Sequence, residues 1–236
     1  MASATPLTTV DGCVGCKTRS ANAFCNLPRS ALSELGRLSF AVSYPEHAIL
    51  FTEDQFCKGV FLVCSGKVKL SARALDGKEF MLQAALSGQI LGLSAAMTGV
   101  AYGFSALTLA PSTIRFVRRE DFLQLLKTSP DSALNAVQAL SFEYDQVVSS
   151  LRSMALLHTA SARIAQLLLR MAADTPEGQS SNVRLLLTQE QIAQMTGTTR
   201  ETVTRFFTQL RRENVIDMRG SSLVIRDRYA LERIAI

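Results

Sequence analysis

Three cysteines, Cys13, Cys16 and Cys25, fall within the stretch "DGCVGCKTRSANAFCNLP" at positions 11–28, and the rest of the 236-residue chain holds only Cys57 and Cys64. Thiols gathered this closely can hold iron or zinc as thiolates, or pair with one another on oxidation. The two-residue gap between Cys13 and Cys16 lets one turn aim both sulfurs at a single centre. Three readings of the cluster stay open: an iron-sulfur site, a zinc site or thiol-disulfide switch, and a set of reduced surface thiols. The two histidines lie apart from it. His47, in "YPEHAIL", reads as a turn residue, and His158 as a continuation of a helical seam.

A second stretch has a different chemistry. "TQEQIAQMTGTTRETVTRFFTQLRREN" runs from Thr188 to Asn214. Thr188 is placed to cap a helix carrying Glu190 and Gln191 in its first turn. Ile192 and Ala193 should face inward, and the small Ala193 lets another helix cross closely. Gly197 supplies a left-handed turn. Thr199 then caps a second helix that buries Val203, Phe206 and Leu210. A small residue, glycine four later and valine ten later is the spacing of a helix-turn-helix. The second helix exposes Arg200, Glu201, Thr204, Arg205 and Arg211, types that read base edges: arginine pairs with guanine, and glutamate accepts from cytosine.

Composition agrees. The formal net charge is +5, and from Ala160 onward there are eleven arginines, no lysine and eight acidic residues. Guanidinium is the planar fork that pairs bidentately with phosphate or guanine. No run of eighteen apolar residues suggests a membrane span, and the N-terminus lacks the pattern of a secretory signal. The expected location is the cytoplasm, where thiols stay reduced. No paired carboxylates, nucleophile-base arrangement or phosphate loop suggests an enzyme.

The elements that must position these groups follow from periodicity. "RSALSELGRL" (29–38) has helical spacing through Leu32, Leu35 and Leu38. From about 40 to 118 short apolar runs alternate with Gly, Ser, Pro and Asp, among them "GVFLVCSGKVKLSA", an Asp76-Gly77 turn, "GQILGLSAAMTG" and "STIRFV"; these predict a small barrel or sandwich of strands. Helical signals begin at Arg119. Val137, Leu140, Tyr144, Val148, Leu151 and Met154 then recur every three or four residues as one apolar seam, which suits a helix pairing with its twin. "MAADTPEGQSSNV" (171–183) reads as a surface loop. "VIDMRGSSLVIRD" predicts two strands of a wing around Arg219-Gly220. The expected divisions are a cysteine-bearing segment at 1–28, a strand-rich sensor domain at 29–125, a dimerisation helix at 126–158 and a reader domain at 159–236.

From about residue 30 onward the chain resembles the Crp/Fnr superfamily of bacterial transcription regulators. "TTRETVTRFFTQLRRENVI" is similar to that family's recognition helix, "GVFLVCSGKVKL" to its roll strand and "GQILGLS" to its pocket strand. The resemblance implies an α+β protein: an N-terminal β-roll of cyclic-nucleotide-binding type, a long dimerisation helix and a C-terminal winged helix-turn-helix. It implies double-stranded DNA with a palindromic operator, a second copy of the chain and RNA polymerase as partners. It also implies that Arg200, Glu201 and Arg205 read the half-site, which is expected to carry a central G-A step.

Members that bind cyclic nucleotides hold the ribose with a Gly-Glu pair and the phosphate with an arginine shortly after. Here the pair is Gly88-Gln89, and "GVAYGFSA" (99–106) has no arginine. An anionic phosphate needs a cation, so cyclic AMP is not the expected ligand. FNR-type members carry a cysteine cluster before the roll and hold an oxygen-labile 4Fe-4S cluster, which suggests Cys13, Cys16 and Cys25 as three ligands. The eight residues between Cys16 and Cys25 exceed the FNR gap. The FNR-type fourth cysteine at the end of the roll is missing from "STIRFVRRED". Cys57, Cys64, His47, Glu120, Asp121 or a group outside the chain could complete the set. Cys64 shares the apolar parity of Leu62 and Val60 and so reads as core, whereas Cys57 precedes Lys58-Gly59 in an expected loop and is the better candidate. A regulator of the same fold without a cluster, gated by a small molecule or by thiol oxidation, is the alternative.

Overall fold

The computed structural model describes residues 12–16, 23–74, 77, 79–173, 182–184, 187–219 and 222–236. The chain forms two compact units, one of residues 1–78 and 82–145 and the other of 79–81 and 146–236. The division falls inside a long helix.

In the first unit a single turn at Cys13–Gly15 precedes helix α1 (Arg29–Leu38), whose Leu32 and Leu35 are fully buried. Burying each such leucine contributes about 1.5–3 kcal/mol. Eight strands follow: β1 (Ser39–Tyr44), β2 (Ile49–Phe51), β3 (Gly59–Ser65), β4 (Lys67–Arg73), β5 (Glu79–Leu86, whose first three residues are grouped with the second unit), β6 (Ile90–Leu91), β7 (Ser105–Thr108) and β8 (Ser112–Arg118). They make two four-stranded sheets, in the orders β1-β8-β3-β6 and β2-β7-β4-β5. β8 pairs antiparallel with both β1 and β3, with Arg115 opposite Ala41 on one side and Leu62 on the other.

The β3–β4 turn needs a glycine twice over: Gly66 has φ 96°, and a Cβ there would meet the Ser112 side chain at 2.1 Å. Gly77 at the expected hairpin also has positive φ, and its N–H donates to Ala74 O; Asp76 lies outside the described residues. One expectation is corrected. "GQILGLSAAMTG" continues as strand only through Ile90–Leu91 and then becomes helix α2 (Leu93–Thr98), because Gly92 and Gly99, both left-handed, start and stop a turn of helix-favouring residues.

Helix α3 (Arg119–Thr128) and helix α4 (Pro130–Leu156) come next. Among the described residues no helix is long and apolar enough to cross a membrane.

The second unit contains α5 (Ala160–Ala173), β9 (Asn182–Arg184), α6 (Gln189–Thr196), α7 (Arg200–Arg212), β10 (Ile216–Arg219), β11 (Ser222–Ile225) and α8 (Arg228–Ile234). The expected loop at 171–183 is therefore helix at its start and strand at its end, with 174–181 outside the described residues. The strand order is β10-β11-β9, all antiparallel, so the expected two-stranded wing has a third strand. Ile164, Leu168, Ile192, Val203, Leu210 and Leu231 anchor a core of their own.

Candidate nucleic-acid interface and thiol site

The helix-turn-helix is built as its residue types require. Thr188 Oγ1 accepts from Gln191 N, and Gln191 Oε1 accepts from Thr188 N, a reciprocal cap that satisfies two otherwise orphaned donors. Gly197 ends α6 at φ 60°, ψ 43°. Thr199 Oγ1 accepts from Thr202 N and caps α7. Val203, Phe206 and Leu210 are buried, together with Phe207, which was not singled out although it completes the same three-four spacing.

The opposite face of α7 exposes Arg200, Glu201, Thr204, Arg205 and Arg211, with Thr199 at its head. Among the described residues no carboxylate forms an ion pair with Arg205 or Arg211. Glu201 has its pKa lowered by its own backbone N–H and the Thr199 hydroxyl, so it presents a carboxylate at the helix start. Thr204 Oγ1 donates to Gln189 Oε1 at 2.5 Å, which brings the first residue of α6 onto the same surface. In the sequence only its place directly after the cap residue marks Gln189.

Arg163 on α5 was also missed. Its Nε donates to Thr196 O at 2.7 Å and its Nη1 to Leu157 O at 3.0 Å, fixing the end of α6 to the segment that follows α4. A cation at a helix C-terminus meets the negative end of its dipole. The partner lies 33 residues away, so no local pattern announces it.

The expected apolar seam divides. Val137, Tyr144 and Leu151 are 59%, 69% and 60% exposed, and Leu134 and Val147 extend the same stripe. Val148 is half-buried. Leu140 packs on the core of its own roll. Met154 is 40% exposed, and its Cε would lie 3.5 Å from a Cβ at Gly197, beside the helix-turn-helix turn. His158 lies beyond the end of α4, a correction to its expected place in the seam.

At the other end of the chain, Cys13 and Cys25 are buried and Cys16 half-buried, all reduced. Cys64 on β3 belongs with them. Cys13, Cys16 and Cys25 each lie near enough to the Cys64 thiol for their charge to raise its pKa, and Arg115 near enough to lower it. Burial is the larger influence and pushes Cys64 up to about 11, and it raises Cys13 as well. Arg115 is only 6% exposed and donates from Nη1 to Ser39 Oγ at 3.2 Å. Ser39 in turn hydrogen-bonds the Cys13 thiol.

Cys57 stands elsewhere, 1% exposed, its Sγ donating to Gly59 O at 3.6 Å beside Tyr102. His47 is exposed at φ 64°, the turn residue expected, and Glu120 is exposed on α3 with Asp121 half-buried. Among the described residues no group of three or more His, Cys, Asp or Glu side chains is arranged to hold a single metal ion. One tetrahedral zinc would need thiolate sulfurs about 3.8 Å apart, given a bond of about 2.3 Å. The donors nonetheless fit an iron-sulfur cluster in kind and number: four thiols, with a buried cation beside them to offset their charge.

The interior of the roll is aromatic. Phe51 stacks on Tyr102 with centroids 4.0 Å apart and touches Phe61 and Phe104 at 5.2 and 5.8 Å. Tyr102 and Phe104 come from the segment 99–106, where a nucleotide-binding roll would offer its arginine. Gln89 Oε1 accepts from Leu86 N at 2.7 Å, which engages its amide oxygen within its own turn.

Comparison with known proteins agrees with both units. Residues 41–129 match the cyclic nucleotide-binding domain, and residues 162–234 match the Crp-like helix-turn-helix domain. The CRP-like cAMP-activated global transcriptional regulator of Mycobacterium tuberculosis is 26% identical over 217 residues, 91% of this chain and 96% of that protein. The cyclic AMP receptor protein of Thermus thermophilus is 26% identical over 192 residues, covering 81% and 86%. Among solved structures, FixK2 from Bradyrhizobium japonicum superposes with a TM-score of 0.73 at 22% identity, covering 84% of this chain and 98% of its own. A CooA mutant from Carboxydothermus hydrogenoformans gives 0.74 at 24%, covering 85% and 89%. With a cyclic-nucleotide-binding-type roll followed by a Crp-type helix-turn-helix on one chain, this protein belongs to the Crp/Fnr family of DNA-binding transcription regulators.

Proposed function

We propose that the protein acts as a homodimer on a palindromic operator and that its DNA affinity responds to oxygen or redox state through an iron-sulfur cluster held by the N-terminal thiols. The observation that carries the sensing half is the convergence of Cys13, Cys16, Cys25 and Cys64 beside the buried Arg115. Such a cluster, when bound, would supply oxygen-labile iron-sulfur chemistry. The chain's own residues do the rest. Four thiols give up protons to bind, and Arg115 offsets the charge they gain.

Dimerisation rests on the exposed stripe of Leu134, Val137, Tyr144, Val147 and Leu151, an apolar row that water would otherwise cover. Pairing along it sets two copies of α7 about one DNA turn apart, the spacing of successive major-groove half-sites. Glu201 and Arg205 read the central G-A step, with Arg200, Thr204 and Arg211 on neighbouring bases or phosphates and Thr199 at the backbone. RNA polymerase is the expected partner once the operator is occupied.

Two relatives are named for cAMP, which favours a second reading in which a small molecule in the roll is the signal. Cyclic AMP itself meets Gln89 and a 99–106 segment without arginine, and the rings of Tyr102 and Phe104 fill space there. A switch by thiol oxidation alone has less support, since burial keeps Cys13 and Cys64 protonated and the thiolate is the reactive form.

Anaerobic purification followed by iron and sulfide assays and an absorption spectrum separates these readings. The cluster reading expects iron, sulfide and a broad band near about 400 nm, with operator affinity that changes on exposure to air. Iron near zero and air-insensitive binding would leave the small-molecule reading standing.

A further inference from the structure

The segments that carry the thiols are tied to one another by specific bonds. Phe24 N donates to Gly88 O at 3.0 Å, and Gly88 N donates to Val63 O at 2.7 Å. Ser87 Oγ donates to Cys64 O at 2.6 Å. The turn after β5 is thus a shared anchor for Cys25 on one side and Cys64 on the other. Asn135 Nδ2 donates to both Phe24 O and Asn26 O, the carbonyls that bracket Cys25. Cys13 rests on α1, where a Cβ at Gly36 would stand 3.9 Å from its sulfur. It also shares Ser39 with Arg115, whose β3 partner is Leu62, two residues before Cys64.

Cys64 also sits at an irregularity. The β3–β8 register shifts between Val63, opposite Ile114, and Ser65, opposite Thr113, with Cys64 at the shift. A bulge of this kind re-aims a side chain, and bulges are over-represented beside functional sites.

Cys57 cannot share that position. β3 is extended, so the five steps from Gly59 to Cys64 span about 17 Å. The Cys57 sulfur is bonded at the Gly59 end.

Building on the cluster reading above, we infer that Cys64 is the fourth thiol of the N-terminal site, replacing Cys57, and that Arg115 is its counter-charge. On coordination each of the four thiols forms one sulfur–iron bond and releases its proton to solvent. Arg115 is the cation already buried where the four negative charges arise.

The test uses the full chain, reconstituted anaerobically with ferrous iron and sulfide. Wild type and Cys57→Ser should bind equal iron, whereas Cys64→Ser should lose more than half of it and most of the band near about 400 nm. Circular dichroism that matches wild type shows that Cys64→Ser folds. Alkylation of the wild-type protein needs no variant: at alkaline pH, where thiols that burial keeps protonated at neutrality begin to ionise, Cys64 should resist iodoacetamide while iron is bound and react after chelation, in step with Cys13, Cys16 and Cys25. Iron loss in Cys57→Ser with retention in Cys64→Ser would overturn the assignment. So would Cys64 labelling that ignores iron. Wild type that takes up no iron would defeat the cluster reading itself, an outcome distinct from both.

Discussion

The DNA reader and the thiol site place their key residues along the chain in opposite ways. Thr188 to Arg211 is one continuous stretch, and its caps, glycine turn and buried row act on neighbours three to ten residues away. The thiol site draws Cys13, Cys16 and Cys25 from the N-terminal segment, Cys64 from β3, Arg115 from β8 and Ser39 from β1. The first is held by helical periodicity; the second exists only because β8 pairs with both β1 and β3. A local site should therefore fail when its own helix core is damaged, and a dispersed site when a remote contact is lost.

The largest effect tests the first half of that contrast. Phe206→Ala removes a buried ring from the reader core and should cost about 3–5 kcal/mol in the thermal unfolding of the second unit. Iron content per chain should not change, since the thiol site lies in the other unit. If iron fell in proportion, the two sites would not be independent.

Tyr144→Asp puts a charge into the exposed stripe of α4. Sedimentation should then report a species of half the wild-type mass, and operator binding should weaken with it. An unchanged mass would remove the stripe from the interface.

Arg205→Ala should cost about 1–3 kcal/mol in operator affinity and relax preference at one base pair. An equal loss on all sequences would make Arg205 a phosphate contact instead.

Thr199→Ala removes the α7 cap and the hydroxyl that bonds Glu201, at a cost of about 1 kcal/mol in stability. Unfolding by urea measures it, and an effect below the error of the method would show the cap to be dispensable.

A pH-dependent effect lies on α4. Burial raises the Glu143 carboxyl from its ordinary 4.5 to about 7. A raised carboxyl favours folding while it holds its proton, so its contribution is complete below pH 4.5 and lost as pH rises toward 7. Glu143→Gln should flatten the stability profile across that window. A profile parallel to wild type would contradict the shift.

Much of the fold was legible because its signals are local. α1, the Gly77 turn, α3, both caps of the helix-turn-helix and the wing strands around 219–220 follow from spacing and residue type. "LSAAMT" is short and apolar enough to suggest a strand, and the two flanking left-handed glycines decide the ends of α2. Strand alternation puts Cys64 in the core, a rule that a bulge breaks. Leu140 has the right period for the seam yet packs on the core of its own roll, since period identifies a face and not what covers it.

By itself the sequence determined the two building blocks, their order, and the exposed polar face of α7, because each depends on contacts within about ten residues. The tertiary structure alone decided which thiol joins Cys13, Cys16 and Cys25, and that an arginine is buried beside them. Those are matters of strand pairing, and pairing brings residues 39, 64 and 115 together at separations no linear pattern encodes.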